Sequence, residues 1–265
     1  MPAPVVQRIL APSRKQRPSF EVVCELVFRP IAHLLVLLLA PLRVPPPAVV
    51  VTAATTGIGA AVLIASHHYA AGALLLVLKT ILDNADGQLA RATNQITVLG
   101  RYLDSESDLL VNAFVFAALG IATGHLAVAA ISFLCVTLAL GVDFNLERLY
   151  RAERGEPFDP MPPATGIAGV LAHIYRAVYA PQDVWIERYC ERRLRRATPA
   201  QRLAYHDRAT LQLLANFGLS TQLAVLSACL AFDTPTLYLW LGIGCAVTLI
   251  PLELRRGRRQ AHSRL

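Results

Sequence analysis

Six apolar stretches of membrane-crossing length, near residues 48–66, 69–91, 101–122, 125–143, 209–231 and 235–253, dominate the chain. A helix rises about 1.5 Å per residue, so roughly 20 apolar residues are needed to cross about 30 Å of hydrocarbon. The spacing predicts an all-α integral membrane protein with six transmembrane helices and both ends on the same side. Composition agrees. The chain is 55% hydrophobic and 16% charged, and its mean hydropathy is +0.46, a balance that leaves too few polar groups to cover a soluble surface.

Residues 21–42 hold a further apolar stretch, interrupted by Arg29, Pro30 and His33. Its unbroken part, 34–41, is too short to cross, so the expectation is an N-terminal amphipathic helix lying at the membrane interface rather than a seventh span. No signal-peptide cleavage pattern stands out. The expected organisation is an N-terminal cytoplasmic arm and interfacial helix (1–47), a six-helix domain (48–253) with a long cytoplasmic connection at 144–208, and a basic tail (254–265).

The basic residues set the orientation. Of 25 Lys and Arg, none falls in the turns at 67–68, 123–124 and 232–234, and Lys79 lies inside the second stretch. The remaining 24 sit in the N-terminal arm, the 91–101 turn, the 144–208 connection and the RRGRR tail, which places that side in the cytoplasm. The net charge of +7 is thereby explained by topology and anionic headgroups, and a nucleic-acid partner is not expected. The preference for Arg over Lys points to a GC-rich bacterial genome, and so to the plasma membrane. Five cysteines (24, 135, 190, 229 and 245) have no metal-like spacing and are expected to be small buried apolar residues.

Between residues 83 and 108 eight positions fall into one register, D-x2-D-G-x2-A-R-x8-G-x3-D-x3-D: Asp83, Asp86, Gly87, Ala90, Arg91, Gly100, Asp104 and Asp108. The clean apolar part of the second stretch, 69–82, covers only about 21 Å. The crossing is completed only if helix continues through Asp83 and Asp86 toward Arg91, which puts carboxylates at membrane depth, where charge is costly. A cytoplasm-facing cavity between helices is implied. Lys79, Asp83, Asp86, Gly87 and Ala90 share one helical face, and Gly100, Asp104, Asp108 and Asn112 form a stripe on the next span. Four converging carboxylates repel one another unless cations are bound. An all-oxygen donor set favours magnesium or manganese. Gly87 and Gly100 leave room for phosphates against the backbone, and Arg91 offers a planar fork for a phosphate oxygen.

This block resembles the signature of the CDP-alcohol phosphatidyltransferases, membrane enzymes of phospholipid synthesis, at every defined position, and the six-helix pattern extends the resemblance over roughly residues 20–255. The resemblance implies that Asp83, Asp86, Asp104 and Asp108 hold two divalent ions that bridge the pyrophosphate of a CDP-linked donor. It also implies that Asp108 is the base for the acceptor hydroxyl, that Gly87, Ala90, Arg91 and Gly100 shape the CMP pocket, and that the protein is a homodimer. Family members often carry Pro-Asn-x-x-Thr at the start of the first span. Here Pro47 and Thr52 occupy that area with Ala48 in place of Asn and a longer spacing, so Thr52 is carried as a nucleotide-binding candidate. The chemistry is consistent: phosphoryl transfer asks mainly for positioning and charge neutralisation, and a carboxylate supplies the proton sink.

Size and the single block favour CDP-diacylglycerol as donor and a small polar alcohol as acceptor, with glycerol phosphate first, then inositol phosphate, inositol and serine. A CDP-choline-type transfer to diacylglycerol uses the same residues and stays open. Intramembrane prenyltransferases carry two widely separated Asp motifs, unlike this block. A divalent-metal transporter requires a polar pathway to the outer face, whereas 69–78 and 113–122 hold no acidic residue. Lys79, one turn before Asp83, either pairs with it or contacts a phosphate. Gln212, Asn216 and Ser220 make interhelical hydrogen bonds or line the acceptor pocket. The segment 154–166 has loop composition. Residues 183–196 predict an amphipathic helix docked on anionic lipid, with an Arg there or Arg208 as the alternative grip on an acceptor phosphate.

Overall fold

A computed structural model describes residues 17–157 and 161–262. The remaining N-terminal arm with Arg8, Arg14 and Lys15, three residues of the 154–166 segment, and the last three of the basic tail lie outside the described residues. Among the described residues all regular secondary structure is helical. A π-helical turn at Cys24–Phe28 runs into α1 (Arg29–Leu39). It is followed by α2 (Pro46–Ala65), α3 (Tyr69–Ala92), α4 (Val98–Thr123), α5 (Leu126–Glu153), α6 (Gly166–Val178), α7 (Ala180–Leu194), α8 (Pro199–Tyr205), α9 (Arg208–Ala215), α10 (Leu219–Ala231) and α11 (Pro235–His262).

Five segments are long and apolar enough to cross a membrane: α2, α4, α5, the α8–α10 run and α11. They mark a multi-pass membrane protein. The 24-residue α3 is as long as these but carries Lys79, Asp83, Asp86 and Arg91, the residues that set it apart from a plain apolar span. Large apolar side chains such as Leu74, Leu134 and Ile250 point outward from α3, α5 and α11, as lipid-facing residues do.

The core joins α2, α3, α4, α10 and α11 through Ala60, Ile64, Leu76, Val115, Leu226 and Tyr238. The most extensive packing is of α2 on α3 and α4, and Gly57 permits it: a Cβ there would stand 2.5 Å from a Val111 methyl carbon and 3.3 Å from Cγ of Lys79. A smaller cluster packs Ala32 and Val36 of α1 on Val49, Ala85 and Leu89, so α1 leans on the part of α3 that bears the acidic motif. Its other side presents Leu34 and Leu38 outward.

The 209–231 stretch is not one straight helix. It breaks between Ala215 and Leu219, and the side chains at the break hold the N-terminal segment. Gln212 accepts from the Phe20 N–H at 3.1 Å and donates to the Phe20 carbonyl at 2.6 Å, and Asn216 accepts from the Val22 N–H at 3.0 Å. Glu21 then reaches the start of α10, where the backbone N–H and hydroxyl of Thr221 both donate to its Oε1 at 2.9 Å. The first-turn amides of a helix lack intrahelical partners, and Glu21 satisfies one of them. Burial pushes the Glu21 carboxyl above its usual range, with the Thr221 donors opposing. Gly218 makes space, since a Cβ there would lie 2.6 Å from the Glu21 carboxyl.

The connection after α5 is mostly structured. The observed α5 runs on to Glu153, beyond its apolar part. There Asn145 donates to Asp183 at 2.6 Å, and Glu147 pairs with Arg151 at 3.0 Å and Arg17 at 3.5 Å. The described residues of 154–165 are non-helical. The amphipathic face expected over 183–196 divides in two. Ile186, Cys190 and Leu194 are buried against Leu146, Tyr150, Tyr205 and Leu211, while Trp185 and Tyr189 stack on each other and face outward. All five cysteines are free, and Cys24, Cys190 and Cys229 are buried.

Candidate metal and phosphate site

Two antiparallel helices build the site. The end of α3 is marked by Asn94 in the left-handed conformation (φ 56°), a geometry Asn tolerates at helix C-termini. After a short turn Thr97 caps α4, its hydroxyl accepting from the Gly100 N–H at 3.0 Å. Asp86 stands six residues before the end of α3 and Asp104 six after the start of α4, each about 9 Å from that end. Thr52 stands six residues into α2. Asp83 and Asp108 lie about one turn deeper.

Carboxylate oxygens of Asp83, Asp104 and Asp108 lie within 4.8 Å of one another. Asp86 is only 5% exposed, and its Oδ2 has no hydrogen-bond partner. Lys79, 2% exposed, donates to Asp83 Oδ1 at 2.9 Å and also to Asp108 Oδ1. Lys79 thus pairs with Asp83, as its position one turn away suggests, but equally with Asp108, 29 residues on.

The remaining motif positions sit close by. A Cβ added at Gly87 would come 3.3 Å from an Arg91 Nη, so the bare backbone at residue 87 and the guanidinium share one space. Ala90 is half-buried on the same helix. Gly100 has a local reason as well, because a Cβ there would press on the capping Thr97 hydroxyl at 3.0 Å. The Thr52 hydroxyl donates to the Ala48 carbonyl at 2.8 Å within its own helix, and the residue is exposed.

The supporting shell was not foreseen from the motif. Asn84, inside it, accepts from the Cys24 thiol at 3.1 Å and donates to Ser220 Oγ at 3.1 Å. The Gln88 amide donates to the Arg29 carbonyl at 3.2 Å. These contacts tie α3 to α10 and to the N-terminal helix. Of the polar residues repeating along 212–220, Gln212 and Asn216 hold the N-terminal segment and Ser220 joins this network. Arg208 Nε donates to the Pro18 carbonyl at 3.0 Å. A polar residue every fourth position was the visible signal, but the partners of Gln212 and Asn216 lie almost 200 residues away and that of Ser220 lies 136 away. Beyond the helix pair, Tyr102 stacks edge-on against Tyr175 of α6. The Tyr175 hydroxyl is pushed up to about 12 by burial first and by Asp183 and Tyr102 next.

The donor set suits a hard divalent cation. It is all oxygen, the carboxylates of Asp83, Asp104 and Asp108 converge, and Asp86, outside that group of three, is buried with an oxygen unsatisfied. Residues 32–188, more than half of the chain, match the family model described as CDP-alcohol phosphatidyltransferase. A search among curated proteins gives no match.

Proposed function

Because the chain belongs to the CDP-alcohol phosphatidyltransferase family, and so to the phosphotransferases, we propose that it moves a phosphatidyl group from CDP-diacylglycerol to a small polar alcohol and releases CMP. The observation that carries this reading is the convergence of Asp83, Asp104 and Asp108 within 4.8 Å, with the Arg91 guanidinium seated against the bare backbone of Gly87 on the same helix as Asp83. Asp83, Asp86, Asp104 and Asp108 are the proposed ligands of two magnesium or manganese ions. When bound, such ions neutralise diphosphate charge and stabilise the departing CMP.

The chain's own residues supply the rest. Arg91 presents parallel N–H donors to phosphate oxygens, and Gly87 keeps the space beside it open. The acceptor hydroxyl attacks the phosphorus that bears diacylglycerol, the P–O bond to CMP breaks, and Asp108 takes the hydroxyl proton. Ala90 and Gly100 flank the nucleotide, with Thr52 near the start of α2 as a further contact. In this reading α3 is the sixth span, α1 lies at the interface, and the site with both ends faces the cytoplasm of a bacterial plasma membrane. The chain forms one helical domain and works as a homodimer.

The acceptor is identified by a CMP-release assay on purified protein with CDP-diacylglycerol, magnesium and, in turn, glycerol phosphate, inositol phosphate, inositol and serine. Release with one acceptor, glycerol phosphate first, is expected. Release only from CDP-choline with diacylglycerol would reverse the donor assignment. No release with any pair would overturn the proposed reaction.

A further inference from the structure

We propose that Lys79 is the resident cation of the carboxylate cluster before substrate arrives, holding the place between Asp83 and Asp108 that a second divalent ion takes only with the diphosphate. The inference rests on the metal-dependent reading above and assigns an order to its two ions.

The geometry separates two sides of the cluster. On one side the Lys79 ammonium donates to Oδ1 of both Asp83 and Asp108. This is not a surface side chain that happens to swing inward. It is 2% exposed, and its stem runs against Gly57, where a Cβ would already press on Cγ at 3.3 Å. On the other side Asp86, 5% exposed, keeps a buried Oδ2 without a partner. A carboxylate oxygen still open to a cation therefore lies at Asp86, and the first ion belongs there.

A magnesium ion bridging two carboxylates sits about 2.1 Å from each oxygen. An ammonium hydrogen-bonded to the same two oxygens fills that space, and its positive charge repels a second ion. A bound diphosphate changes the balance. Its negative charge compensates another divalent ion, and its oxygens accept from the displaced ammonium. Lys79 then serves both pairing and phosphate contact, in succession.

The test is manganese binding to the full-length protein in detergent, followed by the loss of the free-ion EPR signal, with and without CDP. The wild type is expected to bind about one ion per chain without CDP and about two with it, whereas Lys79→Met binds about two without CDP. Two ions on the nucleotide-free wild type, no second ion on adding CDP, or a single ion on Lys79→Met would each overturn the proposal and leave the phosphatidyl-transfer reading standing. No manganese bound by any form would overturn both. Lys79→Gln is measured in parallel, and if neither variant can be purified the wild-type pair of measurements decides alone.

Discussion

Asp108→Asn is expected to lower CMP release by about 10³-fold, within the range seen when a proton acceptor is lost, while leaving the protein folded. Asp108 stands ten residues into α4, about 15 Å from its start, among Asp83, Asp104 and Lys79. Asparagine keeps the shape and an oxygen that accepts from Lys79, so packing around α3 and α4 is preserved. It cannot take a proton from the acceptor hydroxyl, and it offers a neutral oxygen where a carboxylate would hold the cation. Initial rates at saturating substrates measure the loss, and the melting temperature in detergent checks the fold. A loss smaller than about tenfold would remove Asp108 from the base role.

Asp86→Asn is expected to do two opposite things. Activity falls by about 10²-fold or more, since a metal ligand is worth several kcal/mol in such a site and each 1.36 kcal/mol is tenfold. The metal-free protein, however, becomes more stable. Asp86 is buried beside other carboxylates with one oxygen unsatisfied, and leaving a buried polar atom unpaired costs about 1–3 kcal/mol, more if it is charged. Asparagine removes the charge and gains donors that neighbouring carboxylates accept. Magnesium reverses the order, because a ligand that binds only the folded state stabilises it in proportion to its affinity, and the variant binds more weakly. Thermal unfolding in EDTA and in excess magnesium tests this. A variant that melts below the wild type in EDTA would show Asp86 to be a structural residue instead.

The helical hairpin that carries the site was legible because its signals are local. Apolar periodicity ran through 69–82, the acidic residues followed at helical spacing, and a polar turn separated the two stripes. The same locality explains what was missed. The stretch 209–231 has continuous apolar character, yet the chain breaks after Ala215 because Asn216 and the start of α10 bind residues 20–22, almost 200 positions away. The extension of α5 to Glu153 buries Asp143, Asn145 and Glu147, polar residues that ordinarily end an apolar span. Their partners include Asp183 and Arg17, which no periodicity connects to them. Trp185 and Ile186 are adjacent on one amphipathic helix, and only tertiary packing decides that one faces outward and the other inward. In the site, the Lys79–Asp83 pair follows from helical spacing. The Lys79–Asp108 pair spans α3 and α4, which both pack on α2, where Gly57 leaves space for the lysine stem.

The central claim is that this carboxylate cluster performs a cation-dependent transfer. The most direct test is CMP release from CDP-diacylglycerol by the purified protein after treatment with EDTA, and again after magnesium is restored. No release in EDTA and full recovery on adding magnesium, both lost in Asp108→Asn, are the results expected. CMP release that proceeds undiminished in EDTA would contradict the account.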